Sequence, residues 1–184
     1  MEPRRRRALP ILSTMNRETR DVEIVRAESA AQWDAARRLV EEYAASLRID
    51  LSFQNYQQEI ATLTKEYGPP RGCFALARSS GADVGCGGFR ARGDTTCEMK
   101  RLYVVPSAQR RGIGLLLAEF LIQQAEAVGY DTMLLDTLPG MTAAHALYAS
   151  LGFERTEPYR HNPVPGATFW KLSLRPQGTR SAGR

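Results

Sequence analysis

A short stretch rich in glycine and arginine has the residue types and spacing that could do chemistry. It is Gln109–Gly114, with the sequence QRRGIG, and it lies between an apolar strand pattern and a helical pattern. The first turn of a helix has unpaired backbone N–H groups and the positive end of the helix dipole. Two glycines let a bulky anion approach that backbone, and Arg110 and Arg111 add positive charge. The stretch is therefore typical of a phosphate or pyrophosphate site.

Two common nucleotide motifs do not fit this stretch. A dinucleotide-binding G-x-G-x-x-G would need glycine at position 117, where the chain has Leu117, and no G-x-x-x-x-G-K-[ST] string occurs. An ordinary strand, turn and helix with surface arginines is the alternative interpretation of the same residues.

A second motif follows at a fixed separation. Residues Ala144–Phe153 have the sequence AHALYASLGF, and one predicted helix and one predicted strand separate them from Gln109–Gly114. The two motifs together resemble the acetyl-CoA motifs of the GNAT superfamily of N-acetyltransferases. The resemblance extends over roughly residues 21–175 and is sharpest over 98–153.

The resemblance implies a fold and a co-substrate. The fold is a single α/β domain of the layered α+β kind, in which helices flank both faces of a central mixed sheet. That sheet would splay between the strands Glu98–Val105 and Thr132–Leu138, and acetyl-CoA would enter the gap. Strand backbone would bind the pantetheine arm and the helix start would bind the pyrophosphate, with no metal involved. The implied cofactor-binding residues are Leu102, Tyr103, Val104, Gln109, Arg110, Arg111, Gly112, Ile113, Gly114 and Leu115.

The resemblance also implies direct attack of an amine on the thioester, with two catalytic side chains. Tyr148 matches the general acid that protonates the leaving sulfur; packing in the core is its alternative role. Glu98 is the first candidate for the general base, and an exposed strand residue paired with Lys100 or Arg101 is its alternative role. Asp136 is a weaker candidate for the base.

One departure from the family pattern leaves a second function open. Many relatives have asparagine seven residues before the helix tyrosine, whereas this chain has Met141, which cannot make the same polar contact. A catalytically weak acyl-CoA-binding or regulatory module is therefore the alternative to an enzyme. For an enzyme, the segments Leu47–Gln58 and Tyr159–Phe169 are expected to surround the amine of a small molecule, amino acid or peptide.

Hydrophobic periodicity predicts the elements that position these residues. Helical spacing predicts helices and alternation predicts strands, with Ser29 and Thr142 as helix caps. In chain order the predicted elements are a strand Val22–Ala27, a helix from Ser29 to Leu47, a helix Phe53–Tyr67, strands Cys73–Arg78, Val84–Arg92 and Cys97–Val105, a helix Gly112–Val128, a strand Thr132–Leu138, a helix Thr142–Leu151, and strands Phe153–Thr156 and Thr168–Leu174.

Charge and composition exclude other classes of protein. The net charge is +5, but residues 1–14 and 175–184 contribute +3 each and residues 15–174 sum to −1, so nucleic acid is not an expected partner. No apolar run approaches the roughly 18 residues of a membrane span, and no export signal is evident. Three cysteines without C-x-x-C spacing indicate a reducing compartment, so a cytoplasmic location is expected. Residues 1–20 and 176–184 are expected to be disordered tails, and a homodimer is left open.

Overall fold

The computed structural model describes residues 21–47 and 55–174, and the predicted tails lie outside this part of the chain, as do residues 48–54. Its strands are β1 (Val22–Arg26), β2 (Cys73–Ser79), β3 (Ala82–Ala91), β4 (Thr96–Val104), β5 (Thr132–Thr137), β6 (Glu154–Thr156) and β7 (Thr168–Ser173). Its helices are α1 (Ala30–Leu47), α2 (Tyr56–Ala61), α3 (Leu63–Tyr67), α4 (Ile113–Val128) and α5 (Thr142–Ser150).

The strands form one mixed sheet with helices on both of its faces. The strand order is β1-β2-β3-β4-β5-β7-β6, and the β4–β5 pair is parallel while the other neighbours are antiparallel. Strand β2 is buried on both faces: Ala75 packs in the core with α4, and Phe74 packs in the core with α1 and α3. A strand that is covered on both sides has an almost continuous apolar sequence, as β2 does. The predicted layered fold is confirmed.

Helix α1 begins with reciprocal capping. The Gln32 backbone N–H donates to Ser29 Oγ (3.3 Å), and the Ser29 backbone N–H donates to Gln32 Oε1 (2.8 Å), so the predicted cap is confirmed. The prediction of one helix over Phe53–Tyr67 is wrong, because α2 and α3 are separate helices. They meet at Thr62, whose hydroxyl donates to the Gln58 carbonyl (2.8 Å) and thereby competes with continued helix formation.

The predicted cap of α5 is also wrong. Met141 occupies the N-cap position and makes no side-chain capping bond, while Thr142 is already the first helical residue. The predicted end of α4 is confirmed, because Gly129 has a φ of 97°, a left-handed conformation that glycine adopts without steric cost.

Strands β4 and β5 pair only at their first residues. Thr96, Cys97 and Glu98 lie opposite Thr132, Met133 and Leu134, and the two strands then separate. The strands therefore separate after Glu98 and Leu134, within the two segments that were predicted to splay, Glu98–Val105 and Thr132–Leu138. The predicted splay is confirmed.

A bulge in β4 accompanies the separation. The register against β3 shifts between Cys86 and Gly88, and Arg101 has a φ of 59°. A bulge bends its strand and changes which residues share a face, so Lys100 and Arg101 do not follow simple alternation. Beyond the bulge the strands lie very close, since a Cβ atom on Gly85 would be 2.8 Å from the Tyr103 carbonyl oxygen.

All three cysteines (Cys73, Cys86 and Cys97) are buried free thiols in the cores of the sheet. Within residues 21–47 and 55–174, none of the helices combines the length and apolar character that crossing a bilayer requires.

Candidate active site

A cleft of about 280 Å³ lies at the gap between β4 and β5. It brings together three of the predicted site residues: Leu102, Gln109 and Tyr148. Its lining comes from α1, β4, β5, α5 and the segments before the last two helices, and consists of Tyr43, Met99, Lys100, Arg101, Leu102, Gln109, Asp136, Thr137, Met141, Ala143, Ala144 and Tyr148.

The end of β4 presents backbone groups to this gap. The Val105 N–H donates to the Val84 carbonyl of the neighbouring strand (3.0 Å), so Val104, one residue earlier, directs its N–H and carbonyl to the opposite edge. The Gln109 side-chain amide donates to the Val104 carbonyl from that edge (3.0 Å). By the same alternation, the backbone groups of Tyr103 face β3, and its phenol donates to Glu42 (2.8 Å).

The predicted anion-binding stretch lies at the start of α4. Gly112 is the N-cap residue with a φ of 79°, and Arg110 has a φ of 62°. The Leu115 N–H donates to the Gly112 carbonyl (3.1 Å), so the N–H groups of Ile113 and Gly114 precede the first bond within the helix. Arg110 is exposed, and Arg111 donates to Ser79 Oγ (3.5 Å).

The helix start is close to the rest of the cleft. A Cβ atom on Gly114 would lie 3.7 Å from Leu147 of α5 and 4.0 Å from Val104 of β4, which is ordinary van der Waals contact. The positive end of α4 and the free edge of β4 therefore form one continuous surface.

Tyr148 both packs in the core and lines the cleft. Its ring packs against Phe153 and Trp170, with centroid distances of 5.5 and 6.5 Å, and the residue also lines the cleft. Burial raises the pKa of its phenol, and the nearby Tyr43 and Asp136 raise it further. The phenol is therefore protonated at neutral pH.

Glu98 is buried in an ion-pair network, with 1% of its side chain exposed. Its Oε1 accepts from the Tyr159 hydroxyl (3.0 Å) and lies 3.5 Å from Arg160 Nε, while its Oε2 lies 3.3 Å from Arg90 Nη2. Glu98 lines a second cavity together with Glu66 and Arg90, whereas Tyr148 lines the cleft at the gap between β4 and β5. The two predicted catalytic residues thus line different cavities.

Asp136 is the carboxylate that shares the cleft with Tyr148. Its Oδ2 accepts from Arg160 Nη2 (2.6 Å) and Asn162 Nδ2 (2.8 Å), which fix its orientation. Arg160 therefore connects Asp136 to Glu98. In the sequence, Asp136 stands out as the single acidic residue within the apolar run 132–138, which indicates a functional side chain.

Among the cleft residues that were not predicted as site residues, three have ionisable side chains: Tyr43, Lys100 and Arg101. Lys100 has only 7% of its surface exposed, and burial lowers the pKa of its ammonium to about 8. Arg101 forms a bidentate ion pair with Glu59, with two contacts of 2.8 Å. Lys100 and Arg101 could have been predicted from the sequence, because two consecutive cations are unusual within a buried strand.

The expected acceptor segments are only partly described, because residues 48–54 lie outside the described part of the chain. In the second segment, Tyr159 contacts Glu98, and Arg160 and Asn162 contact Asp136. His145 has its Nε2 2.7 Å from Thr137 Oγ1 and is not part of the cleft lining. Among the described residues, His, Cys, Asp and Glu form no cluster of three or more that could hold a metal ion.

Known proteins resemble this chain in sequence and in fold. Residues 33–153 match the model of the acetyltransferase (GNAT) family. An N-acetyltransferase of Schizosaccharomyces pombe is 42% identical over 143 residues, which cover 77% of this chain and 88% of that protein. A GNAT acetyltransferase of Staphylococcus aureus matches the fold with a TM-score of 0.70 and 18% identity, covering 84% of this chain and 99% of the other.

A second solved structure was determined with acetyl-CoA bound. It is a GNAT acetyltransferase of Elizabethkingia anophelis, with a TM-score of 0.60 and 20% identity, covering 84% of this chain and 99% of that chain. The family match spans more than half of the sequence, includes both motifs and agrees with the splayed sheet. The chain therefore belongs to the GNAT family and is an N-acetyltransferase.

Proposed function

We propose that this enzyme moves the acetyl group of acetyl-CoA to the primary amine of a small molecule, amino acid or peptide by direct attack in a ternary complex. The observation that carries the proposal is that a proton donor, Tyr148, and a carboxylate, Asp136, line one cleft beside the free edge of β4. A location in the reducing cytoplasm is part of the proposal, and three free thiols support it.

The residues at the gap fit acetyl-CoA. The Val104 N–H faces the gap and needs a hydrogen-bonding partner, and the Val104 carbonyl can accept a second hydrogen bond beside that from Gln109. An amide-bearing pantetheine arm offers partners for both groups. The N–H groups of Ile113 and Gly114, together with the cations Arg110 and Arg111, suit a pyrophosphate. When bound, acetyl-CoA supplies the thioester whose acyl group is transferred.

The chemistry requires no covalent enzyme intermediate. The lone pair of the neutral amine attacks the thioester carbonyl, a C–N bond forms, and the C–S bond breaks. The Val104 N–H is in position to polarise the carbonyl oxygen as negative charge develops. Tyr148 gives its proton to the departing sulfur, while the nitrogen loses a proton to a carboxylate or to water held by it.

Two carboxylates compete for the role of general base. Glu98 lies near the start of the open part of β4, but Tyr159, Arg160 and Arg90 surround its two oxygens. Asp136 lines the same cleft as Tyr148, and its hydrogen bonds with Arg160 and Asn162 both use Oδ2. We therefore assign the base to Asp136 and a positioning role to Glu98, which orients Arg160 against Asp136.

A catalytically weak acyl-CoA-binding module is the second candidate function. The observation that favours this module is Met141, because its thioether lines the cleft at a position where many relatives have an amide. The deciding experiment measures free thiol released from acetyl-CoA over a broad panel of amines, alongside calorimetric binding of CoA. Thiol release that depends on the amine supports the enzyme. Binding without release over the whole panel favours the module, and absence of binding contradicts both functions.

A further inference from the structure

We propose that Thr137 and His145 form a proton relay that carries a proton from the acceptor's ammonium group out of the cleft. The inference rests on the proposed acetyl transfer and deepens it, because it assigns how the ammonium becomes the neutral amine that attacks. Thr137 would contact the acceptor, whereas His145 acts through Thr137 and is a positioning residue.

The proton balance of the reaction requires such a route. An amino group is an ammonium at neutral pH, since its ordinary pKa is about 10. Its nitrogen loses one proton before it attacks and a second one as the amide forms. The second proton, which Asp136 takes, balances the one that Tyr148 gives to sulfur. The first proton therefore has to leave the cleft for the solvent.

A chain of hydrogen bonds connects the cleft to α5. Thr137, on β5, lines the cleft and also a smaller cavity of about 50 Å³. Its Oγ1 lies 2.7 Å from His145 Nε2 and 2.9 Å from Thr168 Oγ1. The Trp170 Nε1–H donates to the same Thr168 oxygen (3.1 Å). Because Thr137 and Thr168 are direct neighbours across the β5–β7 pair, the sheet itself holds the two hydroxyls together.

The donors and acceptors of this chain assign its direction. An indole N–H can only donate, so Thr168 accepts from Trp170. Among the described residues, the Thr168 hydroxyl has only Trp170 and Thr137 as hydrogen-bond partners, so its hydrogen is directed to Thr137. Thr137 then gives its own hydrogen to His145 Nε2. These contacts assign His145 as a neutral imidazole with its hydrogen on Nδ1.

This direction suits transfer out of the cleft. Because Thr137 directs its hydrogen to His145, its oxygen is left as an acceptor for an N–H group of the substrate. As the ammonium proton moves to Thr137 Oγ1, the original Thr137 hydrogen moves to His145 Nε2. One N–H bond of the acceptor breaks and one N–H bond of the imidazole forms. The amine becomes neutral and His145 becomes an imidazolium.

His145 is placed to pass the proton on to water. It is half-buried, whereas Thr137 has only 5% of its surface exposed. The imidazole packs against Trp170 with a centroid distance of 5.6 Å, and the Arg155 guanidinium also contacts that indole (4.3 Å). Within residues 21–47 and 55–174, no carboxylate forms an ion pair with His145. No anion therefore retains the proton on the imidazolium, and imidazoles exchange protons readily near neutral pH.

The test compares acceptors that are charged with acceptors that are already neutral. Alkylamines are ammonium ions at pH 7 and hydrazides are neutral, and release of CoA is measured for both at saturating acetyl-CoA. His145→Gln keeps a hydrogen-bonding group but cannot take up a proton. It should lower kcat/KM by about 10²-fold or more for the alkylamines and leave that of the hydrazides nearly unchanged. Equal losses with both kinds of acceptor, or no loss, would overturn the relay and leave the acetyl transfer intact.

Variants of Thr137 test the same route at its entrance. Thr137→Val lacks the hydroxyl and should show the same selective loss, whereas Thr137→Ser should restore the activity. Since both residues act in one route, combining Thr137→Val with His145→Gln should cost no more than either change alone. Thr132→Val, on the same strand, is the matched control and should keep wild-type rates with both kinds of acceptor. Additive losses in the double variant would contradict a shared route.

A measurement without turnover separates the relay from the proposed function. The chain has two histidines, so nitrogen-15 NMR signals of the imidazoles are assigned by comparison with His145→Gln. In the free enzyme at pH 8, the hydrogen of His145 should be on Nδ1, and Thr137→Val should weaken that preference. A hydrogen on Nε2 would overturn the relay even if amines are acetylated. Absence of acetylation in the wild type would instead contradict the proposed function itself.

Discussion

Glu59 of α2 holds Arg101 of β4 through two parallel contacts, from Arg101 Nε to Glu59 Oε1 and from Arg101 Nη2 to Glu59 Oε2, each 2.8 Å long. Arg101 is the residue with positive φ at the bulge where β4 departs from β5. The pair therefore attaches a short helix to the point at which the sheet opens. Both side chains are almost fully buried, with 1% of Glu59 and 3% of Arg101 exposed.

Removing the charge of Glu59 should strongly destabilise the fold. Glu59→Gln leaves the Arg101 guanidinium buried without an anion, and breaking a buried pair in this way costs about 3–5 kcal/mol. Urea unfolding measures the loss. Glu154→Gln, at an exposed position on β6, is the control and should change the free energy of unfolding by less than about 0.5 kcal/mol. Equal stability of the two variants would contradict this role of the pair.

The same carboxylate should make stability depend on acid pH. Hydrogen bonds and charge attraction from Arg101 overcome the effect of burial and lower the pKa of Glu59 from 4.5 to about 2. Because the folded pKa is the lower one, this contribution is present above pH 4.5 and is lost as the pH falls towards 2. Unfolding free energies at pH 5, 4 and 3 should fall less steeply for Glu59→Gln than for the wild type.

Tyr148→Phe should lower kcat by about 10²- to 10⁴-fold if the phenol protonates the leaving sulfur. The ring and its contacts with Phe153 and Trp170 remain, so the melting temperature and the Kd for CoA should stay close to wild-type values. Stopped-flow or steady-state thiol release measures kcat. Turnover near that of the wild type would leave Tyr148 with a packing role only.

Gly112→Asp should abolish binding of CoA. The substitution adds bulk and negative charge at the N-cap of α4, where the pyrophosphate is proposed to bind. Aspartate tolerates the left-handed conformation better than most residues, so loss of affinity should exceed loss of stability. Gly93→Asp, in an exposed turn with no atom within 4 Å of the added Cβ, is the control. Retained affinity in Gly112→Asp, measured by calorimetry, would place the pyrophosphate elsewhere.

The two carboxylates should respond differently to amide substitution. Asp136→Asn should lower kcat by about 10²-fold or more, because it removes the proposed base. Glu98→Gln leaves Arg90 and Arg160 with less negative charge, so it should mainly lower the melting temperature. The reverse pattern, with the large loss of kcat only in Glu98→Gln, would return the base to Glu98.

The helix start and the buried strands were predictable because local patterns specify them, whereas the splay of the sheet was implied by the family resemblance. The glycines at 112 and 114 follow, after a short loop, a strand that a proline ends, and such a turn needs no distant contact to form. The alternating and continuous apolar runs of β2 and β5 likewise identify buried strands. The break between α2 and α3 was not predictable from periodicity, since the apolar spacing continues through Thr62.

The charged network was missed because it depends on tertiary contacts. The segment after β6 has to fold back over β5 before Arg160 can join Glu98 to Asp136, and the residues involved are 24 to 62 positions apart in the chain. Lys100 lines the cleft one residue before the bulge at Arg101, and no local pattern indicates that bulge. Glu98, Lys100, Arg101 and Asp136 nevertheless stand out in the sequence as charges within apolar strands.

The buried cysteines have a consequence for a reaction that releases a thiol. Burial raises the pKa of Cys73 to about 11 and that of Cys97 to about 12, and it raises the pKa of Cys86 as well. Thiol–disulfide exchange proceeds through the thiolate, which these side chains scarcely form at neutral pH. The enzyme's own thiols are therefore slow to attack a disulfide, including one formed by oxidation of the thiol that the reaction releases. A colorimetric thiol reagent added to the native protein should consequently report the product alone.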